Sequence, residues 1–176
     1  RDLITVIETI SAAGIVLPPM IIMPGIVHMR SWYEATGLED DWLFATSDSG
    51  YTKDEYGLEW IKHMDNISTC DSVANFFRLL LLDNHTSHCT QEFIEYCDAN
   101  KIIPFALPSH STHLLQPLDV RVFQPYKHYH AKAIEEATRL GLVDFDKIEF
   151  LANLKTIRDH TFKESTIRSA FKHCGL

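Results

Sequence analysis

The sequence lacks the features that mark disulfide-rich, zinc-finger or membrane-spanning proteins. Its four cysteines form no C-x-x-C pair and no zinc-ribbon spacing, which favours free thiols in a reducing compartment. The apolar stretch GIVLPPMIIMPGIV is interrupted by three prolines and is too short to span a bilayer. Internal repeats and low-complexity tracts are also absent. These absences leave a globular domain as the prediction.

Positive charge is scarce as well. The 176 residues include 16 Lys and Arg against 24 Asp and Glu, which gives a net charge of −8. This balance argues against nucleic-acid binding across the whole surface, although it leaves room for a local basic track. Hydrophobic residues make up 45% of the chain, which is enough for the core of one domain.

The first fifty residues predict two strands followed by a loop. LITVIETISAAG is rich in β-branched residues and ends at Gly14, and IVLPPMIIMPG is bounded by prolines, so each predicts a strand. The two strands can pair as a hairpin. Residues 31–52 have the composition of a loop with one short apolar segment, Trp42 to Ala45.

The middle of the chain predicts a helix and then a strand–helix–strand unit. Apolar side chains recur at helical spacing after Lys53, at Tyr56, Trp60, Ile61 and Met64. FFRLLLLD then predicts a strand, TQEFIEYCDANK a helix capped by Thr90, and KIIPFALP a second strand. Such a unit predicts parallel strands that are buried on both faces. The expected aromatic core consists of Trp32, Trp42, Trp60, Phe76 and Phe77.

The last third of the chain predicts helices. Apolar residues recur at helical spacing after Asp119, Pro125 is tolerated near the start of that helix, and Gly141 is a natural stop. The tail predicts two more helices, the second with Thr161 or Ser165 as its N-cap. The order of elements predicts an α/β domain with a mixed sheet.

Two aspartates follow apolar segments of the predicted parallel unit. Asp83 ends the first parallel strand, and Asp119 follows the second strand at the start of a helix. Functional residues of α/β sheets gather at the carboxyl ends of strands, so both carboxylates can reach the same end of the sheet. Carboxylate oxygens suit Mg²⁺, and a pair of such ions supports phosphodiester chemistry. Turn or helix capping is the competing interpretation for each residue.

Several ordered blocks resemble the DDE superfamily endonucleases, the catalytic domains of pogo- and Tigger-type transposases and their domesticated relatives. These blocks are LLLDNHTSH, LPSHSTHLLQPLDV and VFQPYKHY, together with the early TVIETISAAGIVLPPMIIMPG and SDSGYT. The chain departs from the family pattern at two positions, where Asn84 replaces a glycine and Tyr51 replaces a tryptophan. The similarity covers nearly the whole chain and is strongest over residues 1–130.

The resemblance implies a ribonuclease-H-like fold that cleaves and transfers DNA strands with three acids and two Mg²⁺ or Mn²⁺ ions. Asp83 matches the second acid and Asp119 the third. The first acid lies on a strand that precedes the segment matched from Arg1 onward, so this first strand is expected to be missing and to leave a gap in the sheet. Asp2, Glu8 and Asp48 do not lie in the block that carries the first acid.

Further expectations follow from the same resemblance. Residues 1–140 form the incomplete catalytic domain, and residues 141–176 form a helical extension. The supporting loop residues are His85, Ser87, His88 and Gln116, and Arg121 and Lys127 are candidate DNA contacts. The expected partner is DNA at transposon ends, with a homodimer as one option, without a membrane or a small-molecule cofactor, and the expected location is the nucleus. This fragment alone is expected to be inactive, because it lacks the first acid.

Three other interpretations stay open at this stage. The pairs His85/His88 and His110/His113 have the H-x-x-H spacing of zinc ligands. Ser87, His88 or His113, and Asp83 could form a hydrolase triad, although no G-x-S-x-G motif is present. A domesticated, catalytically inactive domain that binds DNA or protein would keep the same fold and use its acids only as caps.

Overall fold

The computed structural model describes residues 3–27, 38–39, 41–48, 50–68, 76–83, 90–141 and 145–176. The strands within these ranges are β1 Thr5–Ile7, β2 Met20–Pro24, β3 Leu43–Ser47, β4 Arg78–Leu82 and β5 Ile102–Ala106. The helices are α1 Asp54–Ser68, α2 Gln91–Ala99, α3 Thr112–Leu115, α4 Phe123–Arg139, α5 Lys147–Thr161 and α6 Glu164–His173. A π-helical turn, Leu118–Val122, precedes α4. The predicted α/β class is confirmed.

The strands form one three-stranded sheet and one two-stranded sheet. β1 pairs antiparallel with β2, which confirms the predicted hairpin, and a bridge between Ile10 and Val16 extends that pairing towards the turn. Gly14 occupies the turn with φ +88°, a conformation that glycine adopts without strain. β4 and β5, which precede and follow α2 along the chain, pair in parallel. This pairing confirms the predicted strand–helix–strand unit.

Strand β2 is the centre of the core because both of its faces are covered. Met20 and Ile22 pack into one cluster with α1, α2 and the β4–β5 sheet. Ile21 and Met23 pack on the opposite face against Trp42 and the α5 residues Leu151 and Leu154, which are all buried. Helix α5 therefore packs directly on the sheet. The proposed boundary between residues 140 and 141 stays a prediction.

A buried ion pair ties α5 to Glu8, the residue after β1, and to the rest of the hairpin. The Arg158 Nε atom donates to both carboxylate oxygens of Glu8 at 3.1 Å, and its Nη2 atom donates to the Leu17 carbonyl at 2.7 Å. The guanidinium carbon lies 5.0 Å from the ring centroid of Trp42 and 5.4 Å from that of Phe162. Because its guanidinium is planar, arginine can donate hydrogen bonds and stack on aromatic rings at the same time.

A second polar network fixes the start of β4. The Arg78 Nη2 atom lies 2.5 Å from the buried Asp65 carboxylate of α1 and 3.0 Å from the Asn100 carbonyl. The Tyr96 hydroxyl donates to the other Asp65 oxygen at 2.8 Å. Burial and this carboxylate together raise the pKa of Tyr96 to about 12, so the hydroxyl remains a donor. The network joins α1, β4 and α2 at the end of the parallel unit that is remote from Asp83.

The prediction that residues 31–52 form a loop was wrong for β3. Leu43–Ser47 pairs in parallel with the whole of β2, from Met20↔Leu43 to Pro24↔Ser47. The Tyr56 hydroxyl of α1 also donates to the Thr46 carbonyl. The partners of β3 lie about twenty residues upstream, in β2, and about ten residues downstream, in α1. A local sequence pattern therefore does not reveal them. Trp32 lies outside the described residues.

Two further expectations were wrong. Phe76 and Phe77 are each 69% exposed rather than core residues, whereas Trp42 and Trp60 are buried as predicted. Within the described residues the parallel strands are covered on the face where α2 packs on Leu82 and Ile102, and not on the other. The opposite face leaves three side chains exposed: Leu79, Ile103 and Phe105.

The N-cap of the last helix also differs from the one expected, and no cap was predicted for the helix before it. The N-cap of α6 is Lys163, which makes no side-chain capping bond; Thr161 ends α5 and Ser165 lies inside α6. Lys163 keeps an extended backbone there. Asp146 caps α5 instead, where its carboxylate accepts from the Ile148 and Glu149 amides and Glu149 completes a capping box.

Removing the Asp146 cap is expected to lower the free energy of unfolding by about 1 kcal/mol near neutral pH. The hydrogen bond with the Glu149 side chain and the backbone amides hold the pKa of Asp146 below its ordinary value of 3.8. A carboxyl whose pKa is lower in the folded than in the unfolded chain stabilises the fold at pH values above the unfolded-state pKa. This stabilisation is lost as the pH falls through the folded-state pKa. Urea unfolding of Asp146→Ala should show the deficit at neutral pH and a smaller one in acid. Asp146→Asn is the matched control and should keep most of the stability, because asparagine also caps helices.

Candidate active site

A groove of about 650 Å³ lies between β1 and β4. Residues 5–12 line one side, and Leu79–Asp83 line the other. Within the described part of the chain, β1 pairs only with β2 and β4 only with β5, so both strands turn an edge towards the groove. Further apolar lining comes from helical side chains and from the C-terminal residue: Trp60, Met64, Phe123, Phe171 and Leu176.

Asp83 lies on this groove immediately after β4. Leu82 before it is buried, while the Asp83 side chain is exposed. The Leu82 carbonyl accepts from the Leu107 amide at 2.8 Å, so the pairing of β4 with β5 continues to the end of β4. The predicted position of Asp83 at the carboxyl end of a parallel strand is confirmed. Its catalytic role stays a prediction.

The chain then returns from β5 to the same groove. Helix α3 ends at Gln116, whose amide donates to the Thr112 carbonyl at 2.9 Å and whose own backbone is extended. Gln116, Pro117 and Leu118 line the groove together with Asp83. Asp119 is the next residue, and its side chain is exposed. The structure therefore brings the segment that leads into Asp119 to the groove on which Asp83 lies.

Asp119 lies in a π-helical turn rather than in a regular first turn of a helix. The Leu118 carbonyl accepts from the Phe123 amide, five residues on. Pro125 lacks an amide hydrogen, so it cannot donate to Arg121 as a regular helix would require. Val122 is fully buried and anchors the turn, while Asp119 is exposed. Single π-turns of this kind occur frequently at functional sites.

Comparison with known proteins identifies the family. The family model described as DDE superfamily endonuclease matches residues 1–171. The chain belongs to the DDE superfamily endonucleases. It is 36% identical over all 176 residues to a protein of Cochliobolus lunatus named MFS-type transporter clz9, and covers 19% of that protein. It is 25% identical over 138 residues, 77% of the chain, to the human protein Pogo transposable element with ZNF domain, and covers 9% of it. No solved structure matches the chain.

This DDE domain thus matches 19% of the length of one of these curated relatives and 9% of the other. Transposase-family domains act on DNA, and DDE endonucleases generally use divalent metals. The described helices include none that is long and apolar enough to cross a membrane.

Of the two histidine pairs with zinc-ligand spacing, the structure describes only the second. His85, Ser87 and His88 lie outside the described residues, so their predicted supporting role and the triad that includes them stay predictions. His110 has a positive φ of 62° and His113 lies in α3. Among the described residues, no three His, Cys, Asp or Glu side chains group closely enough to hold a metal ion. A metal site here needs donors in addition to Asp83 and Asp119.

The candidate DNA contacts, Arg121 and Lys127, are both exposed. Arg121 also makes a contact that sequence reasoning missed, because its Nη2 atom meets Nε2 of His173 at the end of α6. These two residues lie 52 positions apart, and neither occurs in a motif that announces the pairing. Lys127 projects from α4, and its predicted role stays a prediction.

Proposed function

We propose that this DDE domain cleaves and joins DNA strands as the catalytic part of a pogo-like transposase, with Asp83 and Asp119 as two metal-binding acids. The groove carries the proposal. Asp83 lines it at the end of β4, and Gln116 to Leu118, which lead directly into Asp119, line it as well. An exposed carboxylate on the groove and a second one on the residue that directly follows its lining can act on one scissile phosphate.

The donor set fits a hard divalent cation. Carboxylate oxygens are the ligands that Mg²⁺ and Mn²⁺ prefer, and such ions retain water and bind substrate phosphate as well. When bound, two ions supply an activated nucleophile and stabilise the leaving oxygen of a phosphodiester. The two aspartates contribute the negative charge that holds these ions, and the groove walls beside them are largely apolar. Besides these two, the site needs one further acid, the first of the family's three in chain order.

We also propose that one additional strand occupies the groove and joins the two sheets into a single ribonuclease-H-like sheet. Support comes from the unpaired edges of β1 and β4, which flank the groove within the described residues. Apolar side chains of α1 line the groove, and so do Phe123 and Phe171 from α4 and α6. A buried strand needs this combination of backbone partners at both edges and apolar contacts on both faces.

The partners follow from the chemistry of the site. The DNA substrate would lie across the aspartates, with Arg121 and Lys127 as candidate phosphate contacts. Action on chromosomal DNA favours a nuclear location, and a homodimer stays a prediction. The transporter in the name of the fungal relative describes that protein, of which the chain covers only 19%.

Manganese binding tests the proposal directly. Titration of the full-length protein with Mn²⁺, followed by electron paramagnetic resonance, should show two bound ions per chain. Asp119→Asn should weaken binding at least tenfold, because the amide cannot offset the charge of the cation. Asp159→Asn, which neutralises an exposed carboxylate on α5, is the matched control and should bind as the wild type does.

Absence of Mn²⁺ binding by the wild-type full-length protein would overturn the proposal. It would leave the domesticated, non-catalytic interpretation, in which the acids serve only as caps. Equal loss of binding in Asp119→Asn and in Asp159→Asn would contradict the assignment of Asp119, because it would point to a general effect of negative charge.

A further inference from the structure

Helix α6 packs against the π-helical turn that carries Asp119. Ile167 and Ala170 of α6 are fully buried, as is Val122 of the turn. Phe171, one helical turn after Ile167, lines the groove beside Leu118. The turn therefore rests on α6, and α6 also forms part of the groove wall.

A polar contact adds to this packing. The Nδ1 atom of His173 lies 3.0 Å from the Ser169 carbonyl oxygen. A carbonyl oxygen can only accept, so Nδ1 carries the hydrogen, and Nε2 of a neutral imidazole is then an acceptor. Arg121 donates its Nη2 hydrogen to that Nε2 atom. The Ser169 carbonyl thus selects the tautomer that Arg121 requires.

The surroundings favour a cation in this position. His173 is the last residue of α6, and the C-terminal end of a helix attracts positive charge. The neighbouring charges on α6 are Lys172, beside His173, and Arg168, which already donates to Glu164 at 2.7 Å. The acid on α6, Glu164, is already paired with Arg168. Arg121 is therefore attracted to α6 by the imidazole acceptor and by the partial negative charge of the helix end.

The turn has fewer regular helical hydrogen bonds than an α-helical turn would have. A π-turn is wider than an α-helical turn and rarely persists alone, and Pro125 removes the amide that would bond to the Arg121 carbonyl. Arg121 is two residues from Asp119 on this turn. Holding the Arg121 side chain fixes the rotation of the turn about its axis, and that rotation sets the direction of the Asp119 carboxylate.

We propose that His173 is a positioning residue for Asp119: it holds Arg121 against the end of α6 and thereby fixes the π-helical turn that presents the carboxylate. The consequence for metal binding rests on the proposed function, whereas the bracing of the turn does not. Arg121 has five N–H donors, so this contact leaves others for a DNA phosphate.

Two substitutions separate the acceptor from the bulk of the side chain. His173→Phe keeps an aromatic ring and removes the acceptor, while His173→Gln supplies a neutral acceptor of similar reach. Lys172→Gln removes a neighbouring exposed charge and serves as the control. His173 is exposed, so each variant should fold.

Amide hydrogen exchange in the full-length protein tests the brace. Exchange of the amides of residues 118–124 should be about tenfold faster in His173→Phe, close to wild type in His173→Gln, and unchanged in Lys172→Gln. Mn²⁺ affinity should fall roughly tenfold in His173→Phe and recover in His173→Gln. Wild-type exchange of this segment in His173→Phe would overturn the proposal.

The two proposals fail in distinguishable ways. If Asp119→Asn leaves Mn²⁺ binding intact, the metal assignment fails, and hydrogen exchange still decides whether His173 braces the turn. If Asp119→Asn abolishes Mn²⁺ binding while His173→Phe changes neither exchange nor affinity, the metal assignment stands and the positioning role of His173 is refuted.

Discussion

Asp119→Asn in the full-length protein is expected to reduce Mn²⁺-dependent DNA nicking by at least about 10²–10³-fold, the size of effect that follows loss of a group stabilising transition-state charge. Asparagine has nearly the same shape but no charge to hold a divalent cation. Asp119 is exposed on its turn, so the substitution should leave the fold intact. Asp83→Asn is expected to have the same effect, because Asp83 lies on the groove that the segment leading into Asp119 also lines. Nicking of a supercoiled plasmid measures both.

DNA affinity separates this effect from a loss of substrate binding. Gel-shift binding by both variants should remain near the wild-type value in the absence of divalent metal, because the acids repel phosphate rather than attract it. Asp159→Asn should nick DNA at the wild-type rate. Full nicking activity in Asp119→Asn would instead support the capping interpretation of that aspartate.

The position of Asp83 was predictable because local signals define both sides of it. The apolar run of β4 ends at Leu82, and Thr90 begins α2 by accepting from the Phe93 amide at 3.3 Å. A short strand followed by a capped helix constrains the aspartate between them to the carboxyl end of the strand. The parallel pairing of β4 with β5 then follows from the crossover helix.

The position of Asp119 was only partly predictable. The apolar spacing after it correctly indicates a helix, and Pro125 is compatible with the start of that helix. The π-turn depends on Pro125 together with packing against α6, which lies about fifty residues further along the chain. The contact between Arg121 and His173 depends on the same long-range packing. Residues this far apart leave no periodic pattern in a single sequence.

The exposed aromatic residues show a different limit of sequence reasoning. Phe76 and Phe77 precede β4 in an apolar run, so the pattern indicates burial, but both are exposed. A hydrophobic pattern reports that a strand can be covered on both faces; it does not report which segment covers it. Within the described residues, α2 covers only the face that carries Leu82 and Ile102.

The second large effect is expected at the buried pair of Arg158 and Glu8. Arg158→Ala should lower the free energy of unfolding by about 3–5 kcal/mol, because it leaves the Glu8 carboxylate buried without a countercharge. It also removes the donor to the Leu17 carbonyl and the contacts with the Trp42 and Phe162 rings. Urea unfolding of this chain at neutral pH measures the loss of stability.

Arg168→Ala is the matched control for this loss. Arg168 also donates to a glutamate, Glu164, but the pair is exposed and lies within one helix at i,i+4 spacing. Such a pair contributes only about 0.3–0.5 kcal/mol, so the control should unfold close to the wild-type midpoint. A similar loss in both variants would mean that burial of the Arg158 pair has no special effect on stability.

The pH dependence gives the Arg158 prediction a second measurement. Burial raises the pKa of Glu8 above its ordinary value of 4.5, and Arg158 partly offsets that increase. A carboxyl whose pKa is raised in the folded state makes its full contribution to stability below pH 4.5. That contribution is lost as the pH rises through the folded-state pKa. Removing Arg158 raises the folded-state pKa of Glu8 further, so Arg158→Ala should recover part of its deficit in acid, where a protonated carboxyl needs no countercharge. Adding Glu8→Leu to Arg158→Ala should restore part of the stability at neutral pH, because no charge then stays buried alone. A double variant as unstable as the sum of the two single variants would show that the two side chains act independently.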